Sequence, residues 1–191
     1  MRRKYVKYYE PDGRDADGKR VYRYTGPQFQ FAKSGKALKA FKKAQISLSA
    51  LLISLFVIAG FVGNDGTRMF YIALPYAALL LPAALALAGA WSLGKLPVRF
   101  SLPEERHAVG RLRAAAIACA MLSAMAAVGE IAFMLDGGAS ARECAFGGAM
   151  LLSMLVALFL LRLVARNPAA AVNGDAPLSQ TGAPPEIRRI P

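Results

Sequence analysis

One carboxylic acid interrupts a stretch that could otherwise do no chemistry. The run AAVGEIAFML, Ala126 to Leu135, is apolar or glycine at every position but Glu130. An acid at the centre of a membrane helix costs about 3 kcal/mol on insertion scales, so such residues turn toward a neighbouring helix or a polar cavity. On a helix at 100° per residue, Ala116, Cys119, Ser123, Ala126 and Ala127 fall within about 60° of Glu130. Met121, Met125 and Val128 fall on the far side. The acid thus shares the face of small and weakly polar residues, on which another helix packs closely. It lies roughly 8 Å inside the near end of its apolar run, at 1.5 Å per residue. The hydroxyls of Tyr71 and Tyr76, and the Tyr71 carbonyl freed by Pro75, reach the same depth on the preceding apolar run. These spacings predict a polar site in which Glu130 hydrogen-bonds to the tyrosine group as a neutral, proton-donating acid, with Ser123 the other polar side chain on its face. At so shallow a depth, a structural or snorkelling role ranks first. A transport or proton-coupling site ranks second and a catalytic acid third.

Four apolar segments must position these residues. They are 44–63, 69–93, 114–135 and 144–165, each near the roughly 20 residues that cross a bilayer core about 30 Å thick. Hydrocarbon cannot satisfy backbone N–H and C=O groups, so each segment is predicted helical. A soluble bundle is excluded, because none of the four shows a polar face wide enough to meet water. The fold class read from the sequence is therefore an all-α integral membrane protein, a compact bundle of four transmembrane helices. Small residues recur at helical spacing for close packing: Ala116, Ala120 and Ala124; Ala84 with Ala88; Ala86 with Ala90; and Gly147, Gly148 and Ala149. Pro75 and Pro82 stand seven apart in the second segment and predict kinks there. The two cysteines, Cys119 and Cys144, fall at different depths and are read as small buried hydrophobes rather than a disulfide.

The 191 residues carry a net charge of +12, unevenly placed. Of 24 Lys and Arg, 22 fall in 1–43, 94–113 and the region from Arg162 onward; the other two are Arg68 and Arg142. By the positive-inside rule both termini and the middle loop are cytoplasmic, and the chain is placed in the cell membrane. With the first apolar run behind a long charged tail, that run is expected to stay as an anchor rather than be cleaved.

The tail 1–43 contains two β-favouring runs around PDGRDADG, which predicts a hairpin over 4–26, followed by a basic amphipathic lead-in over 29–43. Lys33, Lys36, Lys39, Lys42 and Lys43 on that lead-in are expected to contact anionic lipid headgroups. A protein partner or a homo-oligomer is the next expectation, and nucleic acid is not expected. Ser101 with Glu104 has capping-box spacing, so a helix should start near Leu102 and run on into the third span. His107 on this lead-in is read as solvated. The segment 166–191, rich in Pro, Ala and Gly, is expected to be disordered.

No cofactor or metal is expected. DADG lacks the alternating acids and final glutamate of a calcium loop, and GKALKAFKK lacks the leading glycine and the Ser or Thr of a phosphate loop. With one acid in the spans and no convergent nucleophile or base, an enzyme is not expected. The sequence points to a non-catalytic accessory or assembly component of a membrane complex. The alternative is a small oligomeric transporter or channel using Glu130.

Overall fold

The computed structural model describes residues 8–14, 20–33, 35–137, 140–167 and 169–172. Helices dominate it. They are α1 (Gly35–Phe61), α2 (Phe70–Lys95), α3 (Leu102–Glu105), α4 (Arg111–Gly137) and α5 (Ala141–Ala165). A π-helical turn, Arg106–Gly110, joins α3 to α4, so the third long helix runs from Leu102 to Gly137. Four helices are thus long and apolar enough to cross a membrane. All four reach beyond the apolar segments at one or both ends, because polar flanking residues lengthen a helix as readily as apolar ones once its backbone is started.

The helices form a ring in which α1 packs on α2, α2 on α4, α4 on α5 and α5 back on α1. Consecutive long helices are joined end to end by short connections, which makes neighbours antiparallel. Close packing has a visible cause in small residues. A Cβ placed on Gly89 would stand 3.0 Å from the Leu112 backbone nitrogen, so only glycine lets α2 approach α4 this closely. Ala86 and Ala90 are buried in the same seam and Ala84 and Ala88 face outward, so the two alanine pairs serve opposite faces. Pro75 and Pro82 are both buried, and α2 is helical through each of them. Gly63, with φ of 62°, ends α1 in the left-handed conformation that glycine adopts without strain. The chain then crosses to α2 through a 3₁₀ turn, Asp65–Arg68. We call this the loop end of the bundle.

The opposite end carries β structure. Strands β1 (Tyr9–Arg14) and β2 (Arg20–Tyr24) pair antiparallel, with Tyr9 opposite Tyr24. This is a strand pair within the expected hairpin region; residues 4–7 and 15–19 of that region lie outside the described residues. Strands β3 (Gln28–Phe31), β4 (Arg99–Ser101) and β5 (Ala169–Val172) form a second sheet in the order β4–β3–β5, all antiparallel. The lead-in over 29–43 divides between strand and helix, since 28–31 is β3 and α1 starts at Gly35. One expectation is corrected here: residues 169–172 are not disordered, because pairing with β3 supplies the backbone hydrogen bonds that their own composition could not demand. The rest of the expected disordered tail, 173–191, lies outside the described residues.

The sheet end has its own core, in which Phe31 packs tilted against Phe100 at 4.7 Å and meets Phe41 edge-on at 6.3 Å. The strand pair is tied to it through Tyr24, whose hydroxyl accepts a hydrogen bond from the Leu102 N–H at 3.3 Å. Burial raises the Tyr24 phenol above its usual value, and the Leu102 hydrogen bond works against that rise. Ser101 and Glu104 form the expected capping box, with the Ser101 N–H donating to Glu104 at 2.8 Å.

Candidate functional site

Glu130 is fully buried on α4, close to the loop end. Its face of the helix is the one the spacing predicts: Ala116, Cys119, Ser123, Ala126 and Ala127 are buried with it. Its partner differs from the expected one. Asn64, in the turn after α1, donates from Nδ2 to Glu130 Oε1 at 2.8 Å and is itself only 5% exposed. The turn is pressed onto the acid. A Cβ on Gly66 would stand 2.6 Å from Glu130 Oε2, closer than any side chain tolerates. From the other side, Gly147 of α5 faces the Glu130 stem, with its would-be Cβ at an ordinary contact distance of 3.5 Å from Cγ. Gly66 thus opens space for the carboxyl, and a loop asparagine binds it.

The tyrosine group does not join this site. Tyr71 is 50% exposed, with its ring against Gly129 on the neighbouring face of α4. Tyr76 turns the other way and donates its hydroxyl to the Phe56 carbonyl of α1 at 2.8 Å. Its ring stacks on Phe56 at 4.8 Å and meets Phe146 edge-on at 5.3 Å. The physical reason is reach: a phenol hydroxyl donates to a carbonyl on an adjacent helix, and Tyr76 packs on α1 beside Phe56. Ser123 is buried two turns from Glu130 and its Oγ has no partner among the described residues. At 1.5 Å per residue the two are about 10 Å apart along the helix, so they form separate polar points rather than one site.

Two acceptors in the site have no hydrogen-bond partner among the described residues, Glu130 Oε2 and Asn64 Oδ1. A carboxylate offers acceptors only, whereas a protonated carboxyl also donates. One proton on Oε2 would give the acid–amide pair the donor it lacks. Glu143 contributes a second acid to the neighbourhood. It is buried at the start of α5, forms a capping box with Ser140 and acts on Glu130 electrostatically as a like charge. Asp65 and Arg68, the ion pair in the turn, are exposed and engage each other at 3.6 Å.

Sequence reasoning missed Asn64, Gly66 and Glu143 as parts of this site. A loop residue has no periodicity to reveal its direction, although "GND" directly after an apolar run does mark a turn. It also missed Gln45 and Ser49, one helical turn apart on the buried side of α1, whose side-chain polar atoms have no partner.

The lysines divide. Lys33, Lys36, Lys39 and Lys43 are exposed, whereas Lys42 is not free for headgroups. It donates to the carbonyls of Leu96 and Gly94, covering the end of α2, and lies over the Phe31 ring at 5.7 Å. The last carbonyls of a helix lack partners within it, so a lysine one helix away fills that need.

The chain matches no protein family model, and no curated protein or solved structure is similar to it.

Proposed function

We propose that the chain is a multi-pass protein of the cell membrane that serves as a non-catalytic assembly component, working through partners at its sheet end. Both termini and the middle loop are cytoplasmic in this reading. Charge supports the orientation, since 22 of the 24 Lys and Arg fall in 1–43, 94–113 and the region from Arg162 onward, the three regions of the sequence that supply β3, β4 and β5. Exposed Lys33, Lys36, Lys39 and Lys43 meet anionic headgroups there, each contributing on the order of 1 kcal/mol.

The observation that carries the assembly reading is the β4–β3–β5 sheet. Three segments distant in sequence combine into one folded platform with its own aromatic core and two edge strands, β4 and β5. Edge strands present unpaired N–H and C=O groups, a ready template for a partner's strand. At membrane depth the interior is filled instead by packed side chains such as Leu52, Ile72, Leu79, Phe146 and Met150. The test is photocrosslinking in native membranes, with a photoreactive residue at exposed Ala170 on β5 and another at lipid-facing Leu155. A discrete adduct at 170 and none at 155 supports the reading; an adduct of doubled mass identifies a second copy as the partner. No adduct at 170, together with a monomeric particle, would sink it.

A second reading, a small oligomeric transporter, draws on the unpartnered Oε2 of fully buried Glu130. Flux into liposomes that disappears in Glu130→Gln would favour it over assembly.

A further inference from the structure

Between the sheet and the ends of the four long helices lies a cavity of about 90 Å³. One water-sized occupant needs roughly 10–15 Å³ on this measure, so the space is several times larger than a water site. Its apolar lining includes Phe31, Phe41 and Val164, all buried. Three polar residues share the cavity: Glu105, Arg113 and Asn167.

Asn167 is 6% exposed and follows α5 directly. Its Nδ2 donates to the Leu163 carbonyl at 2.7 Å, which fixes the amide, and its Oδ1 has no partner among the described residues. Glu105 and Arg113 bear opposite charges and form no ion pair with each other or with another described residue. Their alignment on one cavity comes from the π turn. Eight residues of α-helix overshoot two full turns by about 80°. A π turn takes up one extra residue, so Glu105 and Arg113 face the same side as residues seven apart would. Lys42, the other cation close to Phe31, is already spent on the α2 carbonyls.

The vacant hydrogen-bonding capacity is thus specific. Two acceptor groups, the Glu105 carboxylate and Asn167 Oδ1, call for N–H donors, and the Arg113 guanidinium calls for an anion. The cavity lies where the apolar runs of α2, α4 and α5 end, beside Leu93, Arg113 and Val164, which is headgroup depth if these helices cross a bilayer. We propose that the cavity binds the headgroup of a phospholipid whose primary ammonium adjoins its phosphate, an ethanolamine-type lipid. The ammonium donates to Asn167 Oδ1 and Glu105, Arg113 takes the phosphate, and the Phe31, Phe41 and Val164 wall covers the ethylene carbons. A quaternary choline headgroup has the same charges and no N–H, and would leave both acceptors unanswered. This inference stands apart from the assembly reading; it needs a membrane but no partner protein.

The experiment is native mass spectrometry of the full chain released from detergent containing equimolar lipids with identical acyl chains and ethanolamine, N-methyl, N,N-dimethyl or choline headgroups. Retention should fall stepwise along the series, by on the order of ten-fold between its ends. Asn167→Leu and Glu105→Gln should each flatten the series, and Arg113→Gln should weaken all four lipids together. Equal retention of all four by the wild-type chain overturns the proposal whatever the variants do. So does a preference that survives both Asn167→Leu and Glu105→Gln. Free phosphoethanolamine at millimolar concentration should not displace the lipid; displacement would overturn the lipid as occupant in favour of a soluble zwitterion.

Discussion

The two ends of the bundle solve the same problem by different means. Each must bury polar groups where helices stop. At the sheet end the answer is mainly backbone: β3 pairs with β4 and β5, and Lys42 covers the carbonyls after α2. Aromatic rings then seal the strands onto the helices. At the loop end the answer is one side-chain pair, Asn64 and Glu130, sixty-six residues apart in sequence, with Gly66 leaving room for the carboxyl. A backbone sheet distributes its cost over many bonds and tolerates loss of any one. A single buried pair concentrates it, since removing one partner leaves the other desolvated and unsatisfied. The sheet end should therefore depend on apolar volume, and the loop end on the match of donors to acceptors.

The largest effect should come from volume at the sheet end. Phe100 is buried against Phe29 and Phe31, and Phe100→Ala should cost about 3–5 kcal/mol. Hydrogen exchange in detergent should show protection lost over β3, β4 and the start of α1, with the loop end unchanged. Protection lost at both ends together would mean that the ends do not act separately. Next comes the loop end. Asn64→Leu keeps approximate volume and removes the donor to Glu130 Oε1, at a cost of about 1–3 kcal/mol. Thermal unfolding in detergent would read it. A loss below experimental error would show that the acid has another partner and that the comparison is wrong.

Some of this was open to inspection in the sequence. The four long helices follow from length and apolarity, and the face of Glu130 follows from helical spacing, because periodicity encodes which side of a helix is small. What escaped was every contact made by a residue outside a periodic element. Asn64 sits in a turn, so its direction is set by how α1 ends at Gly63 and how the 3₁₀ turn folds back. The β5 strand has the composition of an unstructured tail and acquires order from β3, which only the folded chain brings beside it. Lys42 looked like one member of a basic run. Its distinction from Lys39 and Lys43 is that it faces the end of α2, a tertiary fact. Depth alone pairs the tyrosines with Glu130, and depth does not say which neighbour a hydroxyl turns toward.

Lys42→Met tests the capping at the sheet end with a smaller effect, about 1 kcal/mol, because water can reach the freed carbonyls in part. Lys39→Met, exposed and without a described partner, should leave stability unchanged in detergent. Equal losses for the two would return Lys42 to the role of a headgroup contact.

The smallest effect expected is also the most discriminating. Glu130→Gln preserves shape, keeps an acceptor for Asn64 Nδ2 and adds N–H donors where Oε2 now stands without one. If the acid is held neutral, the amide replaces it at a cost below about 1 kcal/mol at pH 5. Wild-type stability in detergent then falls as pH rises from 5 to 8, by up to about 1.4 kcal/mol per pH unit, because the unfolded chain releases a proton that the folded one keeps, whereas Glu130→Gln stays flat. If Glu130 instead carries its charge, the substitution removes an ion from a site whose bound donor among the described residues, Asn64, is neutral and whose nearby acid, Glu143, repels it. Stability would then rise, since an uncompensated buried charge is costly. A pronounced loss fits neither state. It would mean that a cation completes the site in the working protein, and the loop end would have to be reconsidered as a binding site rather than a clasp.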